Sequence, residues 1–156
     1  MNTSSPPLFC GSENPPPFRL GQNSPIRAAA SQRPLALVID DEQIIADTIA
    51  EILNMSGFES VPLYSGQAGL DQARAQCPDI VITDVVMPDL NGIEMAKQLL
   101  VCCPSTKILL VSGQAATTEM MKRARADGLI FDLLAKPLHP EDLLAVLRRL
   151  GFCRKG

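Results

Sequence analysis

Short apolar runs alternate with segments of helical periodicity throughout residues 34–151, and this alternation constrains the fold more than any other feature. The first run, Leu35–Ile39, is apolar at every position, which is typical of a strand buried on both faces of a sheet. The other runs are bounded by Gly, Pro, Asp or Ser, the residues that usually separate strands from helices. We predict five strands, at 35–39, 59–64, 80–82, 107–111 and 129–135.

Between the strands, apolar residues recur at the three- and four-residue spacing of amphipathic helices. The pattern is clearest after the first strand, and Gly57 is suited to end that helix. Ser65 can cap the second helix through its hydroxyl, and Pro140 followed by two acids can open the last one. The five predicted helices begin near Ile44, after Ser65, near Gly92, near Thr117 and at Pro140.

Five strands alternating with five helices predict an α/β fold in which a parallel sheet carries helices on both faces. Because crossovers between parallel strands are right-handed, few topologies remain. Among doubly wound sheets, five strands favour the flavodoxin-like (βα)5 arrangement with strand order 2-1-3-4-5. Pro62 interrupts the second strand, and this predicts an edge position for it.

Composition separates this folded part from the two ends of the chain. Residues 1–33 hold six of the 13 prolines, including Pro15-Pro16-Pro17, and cannot bury enough apolar surface to offset their ordering entropy. We therefore predict a disordered tail at 1–33, a folded domain at 34–151 and a short tail at 152–156. From Pro34 onward there are 11 basic and 16 acidic residues, and this acidic balance argues against direct nucleic-acid binding. No apolar run approaches the roughly 18 residues of a membrane span, so we expect no membrane insertion.

The cysteines show neither a disulfide framework nor the ligand spacing of a zinc site. Their number is odd, no Cys-x-x-Cys pattern occurs, and there is a single histidine. We therefore expect separate thiols and a location in the reducing cytoplasm. The five are Cys10, Cys77, Cys102, Cys103 and Cys153.

Polar side chains stand where four of the predicted strands end. The first strand is followed by Asp40 and Asp41, the third by Asp84, the fourth by Ser112 and the fifth by Lys136. Each alone has an ordinary explanation, such as a helix cap or a loop acid. Because ligands of doubly wound sheets bind at the carboxyl ends of the strands, all five should lie on one rim.

The chemistry of this set is that of phosphoryl transfer. Closely spaced carboxylates repel one another unless a cation joins them, and Mg²⁺ accepts carboxylate oxygens while leaving room for phosphate. Asp84 could then attack a phosphoryl group and become an acyl phosphate. Ser112 could donate a hydrogen bond to one phosphate oxygen, and Lys136 could pair with another.

These residues lie in longer motifs that closely resemble the receiver domain of two-component response regulators. The resemblance runs from Pro34 to about Leu150. The resembling segments are Leu37-Val-Ile-Asp-Asp-Glu42, Ile80-Val-Ile-Thr-Asp-Val-Val-Met-Pro-Asp-Leu-Asn-Gly92, Leu110-Val-Ser-Gly113 and Lys136-Pro137.

The resemblance implies a role for each residue of the set. Asp84 would take phosphate from a histidine kinase or histidine phosphotransfer protein. Asp41 and Asp84 would bind Mg²⁺ together with the backbone carbonyl of Val86, and Asp40 would contribute through bound water. Ser112 and Lys136 would be the switch hydroxyl and the phosphate-binding lysine.

Two positions depart from the commoner family pattern or tune it. Leu133 stands three residues before Lys136, where the family usually has Tyr or Phe, so an aromatic-swing mechanism is not expected there. The nearest aromatic residue is Phe131, which should share a strand face with Leu133. Val86 lacks a group that could orient a hydrolytic water, so we predict a long-lived acyl phosphate.

The favoured interpretation is a stand-alone phosphoacceptor, monomeric or weakly dimeric, that assists its own phosphorylation but is not an enzyme. Six residues follow Leu150, too few for a DNA-binding output domain in this chain. We expect the phosphodonor at the first helix and the rim around Asp84. A downstream protein partner is expected at the fourth helix, fifth strand and fifth helix.

Three alternatives stay open. A haloacid-dehalogenase type phosphatase would need an acid two residues after the nucleophile, where this chain has Val86. A nucleotide-binding or flavin-binding domain would need a glycine-rich loop after the first strand, where this chain has Asp-Asp-Glu. The third alternative is a receiver-fold binding module that no longer uses phosphorylation.

Overall fold

The computed structural model describes residues 33–113, 117–129 and 131–152. The predicted tails lie almost entirely outside these residues and stay predictions. Within the described residues no helix is both long and apolar enough to cross a bilayer. The elements are β1 Leu35–Ile39, α1 Gln43–Met55, β2 Glu59–Leu63, α2 Gly66–Ala75, β3 Ile80–Asp84, α3 Gly92–Cys102, β4 Lys107–Ser112, α4 Thr117–Ala126, β5 Asp132–Ala135 and α5 Pro140–Arg149.

The five strands form one parallel sheet in the order β2-β1-β3-β4-β5. This confirms the predicted flavodoxin-like topology. The edge position predicted for β2 is confirmed as well. Pro62 pairs with Val38 of β1 and lies on the outermost strand, where its missing N–H leaves no gap in a central ladder.

Both faces of the sheet are buried, as the continuous apolar runs predict. Alternate residues of the central strands β1, β3 and β4 join opposite clusters, so Leu37 and Ile39 pack on one face while Ala36 and Val38 pack on the other. Apolar residues of α2, α3 and α4 cover the first face, and those of α1 and α5 cover the second. The strands are therefore held from both sides, and their carboxyl ends are left as the accessible rim.

The helix ends match their local sequence signals. The Ser65 hydroxyl accepts a hydrogen bond from the Ala68 N–H at 3.1 Å, which confirms the predicted cap of α2. After α1, Gly57 adopts a φ of 99°, and the Phe58 N–H donates to the Leu53 carbonyl at 3.0 Å. This is the left-handed turn that glycine favours at helix ends.

The start of the last strand differs from the prediction. β5 begins at Asp132 rather than at residue 129, so Phe131 precedes the strand. Phe131 is buried in the same apolar cluster as Met121 and Ala124 of α4, whereas Leu133 within β5 is 45% exposed. Phe131 thus packs against α4 and not within the strand, and composition alone cannot distinguish these two roles.

The expectation of separate thiols was wrong for one pair, because Cys77 and Cys103 are joined by a disulfide. The two are 26 residues apart in sequence, but their Cα atoms lie 5.7 Å apart because the ends of α2 and α3 meet in the fold. Cys102 keeps a free, exposed thiol. The cytoplasmic location, which rested on unpaired cysteines, stays a prediction.

Candidate functional site

The register of the sheet brings the predicted residues to one edge. Ile39 pairs with Thr83, so Asp40 and Asp84 follow at the same level of neighbouring strands. Farther along the sheet, Ser112 pairs with Ala135, and the next residue of that strand end is Lys136. Parallel strands thus deliver their carboxyl-terminal side chains to a common rim.

Three carboxylates form a tight cluster at this rim. One oxygen from each of Asp40, Asp41 and Asp84 can be chosen so that all three lie within 4.8 Å of one another. Asp40 is 2% exposed and Asp84 is 8% exposed, whereas Asp41 faces solvent. The Glu42 N–H donates to Asp40 Oδ1 at 2.9 Å, which fixes that carboxylate at the start of α1.

The ammonium group of Lys136 faces this cluster. Its Nζ lies 3.3 Å from Asp40 Oδ2 and 3.4 Å from Asp84 Oδ2. A cis peptide bond joins Lys136 to Pro137, and the Lys136 N–H donates to the Ser112 carbonyl at 3.1 Å. Burial alone would lower the pKa of Lys136, but the charges of Asp84 and Asp40 more than offset it and raise the pKa. The ammonium therefore stays charged.

Asp84 carries the opposing electrostatic effects of the site. Burial raises the pKa of Asp84, and the nearby Asp40 carboxylate adds to the rise. Lys136 and the Val86 N–H act in the other direction but do not cancel it. Another positive charge at this position would favour the ionised, nucleophilic form of Asp84.

The donor set fits a hard divalent cation. When ionised, the three carboxylates carry two more charges than the Lys136 ammonium neutralises. Such an excess in a partly buried site is costly without a counter-ion, and carboxylate oxygens are the ligands that Mg²⁺ prefers. The arrangement brings together Asp40, Asp41 and Asp84 as predicted. The carbonyl of Val86 as a ligand stays a prediction.

Ser112 is part of the same group. It is buried at the end of β4, and its carbonyl accepts the hydrogen bond from Lys136 described above. A Cβ added to the next residue, Gly113, would lie 3.3 Å from Lys136 Cβ, so the two strand ends are closely packed. This packing holds Ser112 beside Lys136.

Two residues support the loop between β3 and α3, a role that the sequence did not predict for either of them. Gly92 donates its N–H to the Val85 carbonyl at 2.8 Å, and a Cβ there would lie only 2.2 Å from the Asp84 carbonyl oxygen. Asp89 accepts from the Gln67 N–H at 3.0 Å and from the Gly66 N–H at 3.3 Å. The loop between β3 and α3 is thus tied to the amino-terminal end of α2.

The hydrogen bonds at Asp89 outweigh its slight desolvation. Desolvation would raise the pKa of Asp89, but the N–H groups of Gln67 and Gly66 are the main cause of a net lowering. Helix amino-terminal ends attract negative charge for the same reason. An aspartate in a loop preceding a helix is too common to reveal this role, because the helix that it caps lies about 20 residues upstream.

Removing the Asp89 carboxylate should therefore destabilise the fold. We expect Asp89→Ala to lower the free energy of unfolding by about 1 kcal/mol, as for the loss of a solvent-screened helix cap. Because the folded pKa is lowered, this stabilisation is fully present above the ordinary carboxyl pKa and is lost as the pH falls through the folded value. Urea unfolding of wild type and Asp89→Ala should be measured at a series of pH values from neutral downward. The difference between their free energies of unfolding should become smaller as the pH falls.

Asp71→Ala is the matched control, because Asp71 lies on α2, the helix that Asp89 caps. Asp71 is exposed and lies 3.8 Å from Arg74, so its removal should cost less than about 0.5 kcal/mol. Equal losses in the two variants would contradict the role given to Asp89.

Comparison with known proteins decides the family. The model of the response regulator receiver domain matches residues 36–148. The chain belongs to this family. Its relatives include the transcriptional regulatory protein CreB of Escherichia coli K12, which is 35% identical over 119 residues, covering 76% of this chain and 51% of CreB. The probable transcriptional regulatory protein TcrX of Mycobacterium tuberculosis is 30% identical over 130 residues, covering 81% of this chain and 55% of TcrX.

Solved structures agree with this assignment. The chemotaxis protein CheY4 of Vibrio cholerae superposes with a TM-score of 0.68 at 28% sequence identity, covering 75% of this chain and 98% of that one. The chain spans about half the length of the curated relatives that it matches. The match to the receiver domain gives no support to the phosphatase or nucleotide-binding alternatives.

Proposed function

We propose that this receiver domain accepts a phosphoryl group on Asp84 and passes the signal on by protein contact. The observation that carries the proposal is the meeting of three carboxylates with Lys136, whose Nζ lies 3.3 and 3.4 Å from Asp40 and Asp84. We also propose that the chain is a phosphoacceptor that assists its own chemistry, and not an enzyme acting on a separate substrate.

The positions of the side chains support the following transfer step. A carboxylate oxygen of Asp84 attacks the phosphorus, and the bond between phosphorus and the donor's leaving atom breaks as the new bond forms. Lys136 is close enough to pair with a phosphoryl oxygen, and Ser112 can donate a hydrogen bond to another. When bound, Mg²⁺ would supply positive charge against the transferring group, held by Asp41, Asp84 and the Val86 carbonyl, with Asp40 acting through water.

Acetyl phosphate tests this proposal without a partner protein. Purified chain incubated with acetyl phosphate and Mg²⁺ should gain the mass of one phosphoryl group, and EDTA should prevent the gain. A chain that gains no mass under these conditions would favour the binding-module alternative. A gain that is unaffected by EDTA would contradict the metal role alone.

The side chain of Val86 should affect how long the phosphorylated state lasts. Its side chain is 46% exposed beside Asp84 and has no group that can hydrogen-bond a water molecule. We therefore expect a half-life of minutes or longer after acetyl phosphate is removed, and a several-fold faster decay in Val86→Gln, whose amide can orient water. Intact mass followed over time measures both. A wild-type half-life of seconds would contradict this expectation.

An apolar groove beside the acidic cluster supports a docking position for the phosphodonor. The groove has a volume of about 570 Å³ and lies between α1 and the segment that leads from β5 into α5. Lys136 lines it, so the groove is continuous with the site, and Ile44 on its rim is 81% exposed. We propose that a helix of a histidine kinase or histidine phosphotransfer protein packs here and presents its phosphohistidine to Asp84.

Substitution of Ile44 separates docking from chemistry. Ile44→Ser should slow phosphotransfer from a histidine kinase by about tenfold, because burial of an isoleucine side chain is worth about 1.5 kcal/mol or more. Phosphorylation by acetyl phosphate should be unchanged, since that donor needs no docking surface. A panel of purified kinases identifies the donor for this comparison.

Met55→Ser is the control for this substitution. Met55 is 73% exposed at the other end of α1, away from the groove lining. Met55→Ser should therefore be phosphorylated at the wild-type rate by the kinase and by acetyl phosphate. If Ile44→Ser slows phosphorylation by acetyl phosphate and by the kinase to the same extent, the docking role given to Ile44 is wrong.

Leu133 marks the proposed output surface. Leu133 is 45% exposed on β5 and presents an aliphatic side chain where an aromatic ring is usual in the family. We propose that a downstream protein contacts α4, β5 and α5 around this position. Cytoplasmic localisation and a monomeric or weakly dimeric state also belong to the proposal.

A further inference from the structure

The Cys77–Cys103 disulfide ties together the carboxyl-terminal ends of α2 and α3. Cys103 directly follows α3, and its Sγ lies 3.5 Å from the carbonyl oxygen of Ala73 in α2. Cys77 lies in the connection between α2 and β3, and its Sγ is 3.7 Å from the carbonyl oxygen of Cys102. The bridge thus sits where the two helices meet.

The two bridged residues differ in their access to solvent. Cys103 is 2% exposed, whereas Cys77 is exposed. A thiolate that breaks a disulfide must reach one sulfur from outside and expel the other. Cys77 is therefore the more accessible target for such an attack, and Cys103 is shielded by the surrounding core.

We propose that Cys77 is a site of reversible modification by low-molecular-weight thiols. The thiolate of such a molecule bonds to Cys77 Sγ, the Sγ–Sγ bond breaks, and Cys103 leaves as a thiolate that takes up a proton. A second small thiol then bonds to the first, which releases Cys77 as a thiol and the two small molecules as their disulfide. The reverse sequence, with the small disulfide as oxidant, restores the bridge.

The bridge encloses the part of the chain that carries the phosphoacceptor. The segment from Cys77 to Cys103 contains β3, Asp84 and the whole of α3. The amino-terminal end of α3 lies against Asp84, about 16 Å along the helix axis from the end that holds the bridge. Opening the bridge frees this segment in the unfolded chain and therefore lowers the stability of the fold.

Thermal unfolding tests the effect of the bridge. After equilibration with oxidised glutathione, wild-type protein should lose on the order of 10 °C in melting temperature when dithiothreitol is added. Cys77→Ser replaces an exposed sulfur with a near-isosteric oxygen, so it should melt at the lower temperature with or without reductant. The exposed neighbour provides the control, since Cys102→Ser should behave like wild type. The proposal fails if reduction leaves wild type unchanged or if Cys77→Ser keeps the full response.

Peptide mass spectrometry tests the position of attack. Oxidised protein treated briefly with reduced glutathione and quenched in acid should carry the glutathionyl group on Cys77. In Cys103→Ala, oxidised glutathione should load Cys77 on the order of tenfold faster than it loads Cys103 in Cys77→Ser, because Cys77 is exposed and Cys103 is buried. An adduct found on Cys103 in wild type, or equal loading rates in the two variants, would overturn the assignment.

Discussion

Asp84→Asn is expected to take up no phosphoryl group from acetyl phosphate, whereas wild type gains one. The amide retains the shape of the side chain but cannot act as the attacking oxygen nucleophile. The reactions are compared by intact mass at the same Mg²⁺ and donor concentrations. Asp71→Asn, which changes an exposed carboxylate on α2, should be phosphorylated like wild type.

The same substitution should make the protein more stable in the absence of divalent metal. Burial and Asp40 raise the pKa of Asp84 in the folded state, so ionised Asp84 costs folding free energy at neutral pH. That cost is absent below the ordinary carboxyl pKa and develops as the pH rises through the folded value. We therefore expect Asp84→Asn to unfold at a higher temperature at neutral pH, and Mg²⁺ to reduce the difference.

Together the two expected results would exclude misfolding as the cause of lost activity. A variant that is more stable and yet inert has lost a reacting group and not its structure. If Asp84→Asn still gains a phosphoryl group, the acceptor role given to Asp84 is wrong. If it unfolds at a lower temperature than wild type, the electrostatic cost given to ionised Asp84 is wrong.

Gly92→Ala should lower both the stability of the fold and the rate of phosphorylation, because the new Cβ would collide with the main chain. It would lie 2.2 Å from the Asp84 carbonyl oxygen and 3.1 Å from Val85 Cα, and neither atom can turn aside as a side chain can. We expect a loss of about 1 to 3 kcal/mol in the free energy of unfolding. Phosphorylation should slow by at least about tenfold, since displacement of a reacting group by about 1 Å has effects of this size or larger.

Gly69→Ala provides the control for Gly92→Ala. A Cβ at Gly69 would lie 2.4 Å from Ile39 Cδ1, the far end of a flexible side chain that can change rotamer. That variant should lose some stability but should be phosphorylated at a rate within about twofold of that of wild type. Chemical denaturation and the initial rate of phosphorylation measure the two effects separately. If Gly92→Ala is phosphorylated at the wild-type rate, the contact between Gly92 and Asp84 does not position the acceptor.

The sequence predicts most of the fold and the centre of the candidate site for a physical reason. Continuous apolar runs must be buried on both faces, and parallel strands must deliver their last residues to one edge. Asp40, Asp84 and Lys136 could therefore be grouped before any distance was known. The observed register and the 3.3 to 3.4 Å contacts of Lys136 agree with that grouping.

What the sequence does not predict depends on contacts between distant segments. Asp89 caps a helix that precedes it by about 20 residues, and the Cys77–Cys103 pair spans 26 residues with no recognisable spacing. Phe131 has the character of a strand residue but is buried with residues of α4 before β5 begins. In each case the local residue types permit several arrangements, and only the packing of whole elements selects one.

Chemical trapping of the phosphorylated residue tests the central claim most directly. Borohydride reduces an aspartyl phosphate to homoserine, so peptide sequencing after treatment with acetyl phosphate and Mg²⁺ identifies the acceptor by position. We expect homoserine at position 84 and intact aspartate at positions 40 and 41. Homoserine at another aspartate, or none in protein that has gained a phosphoryl group, would contradict the account.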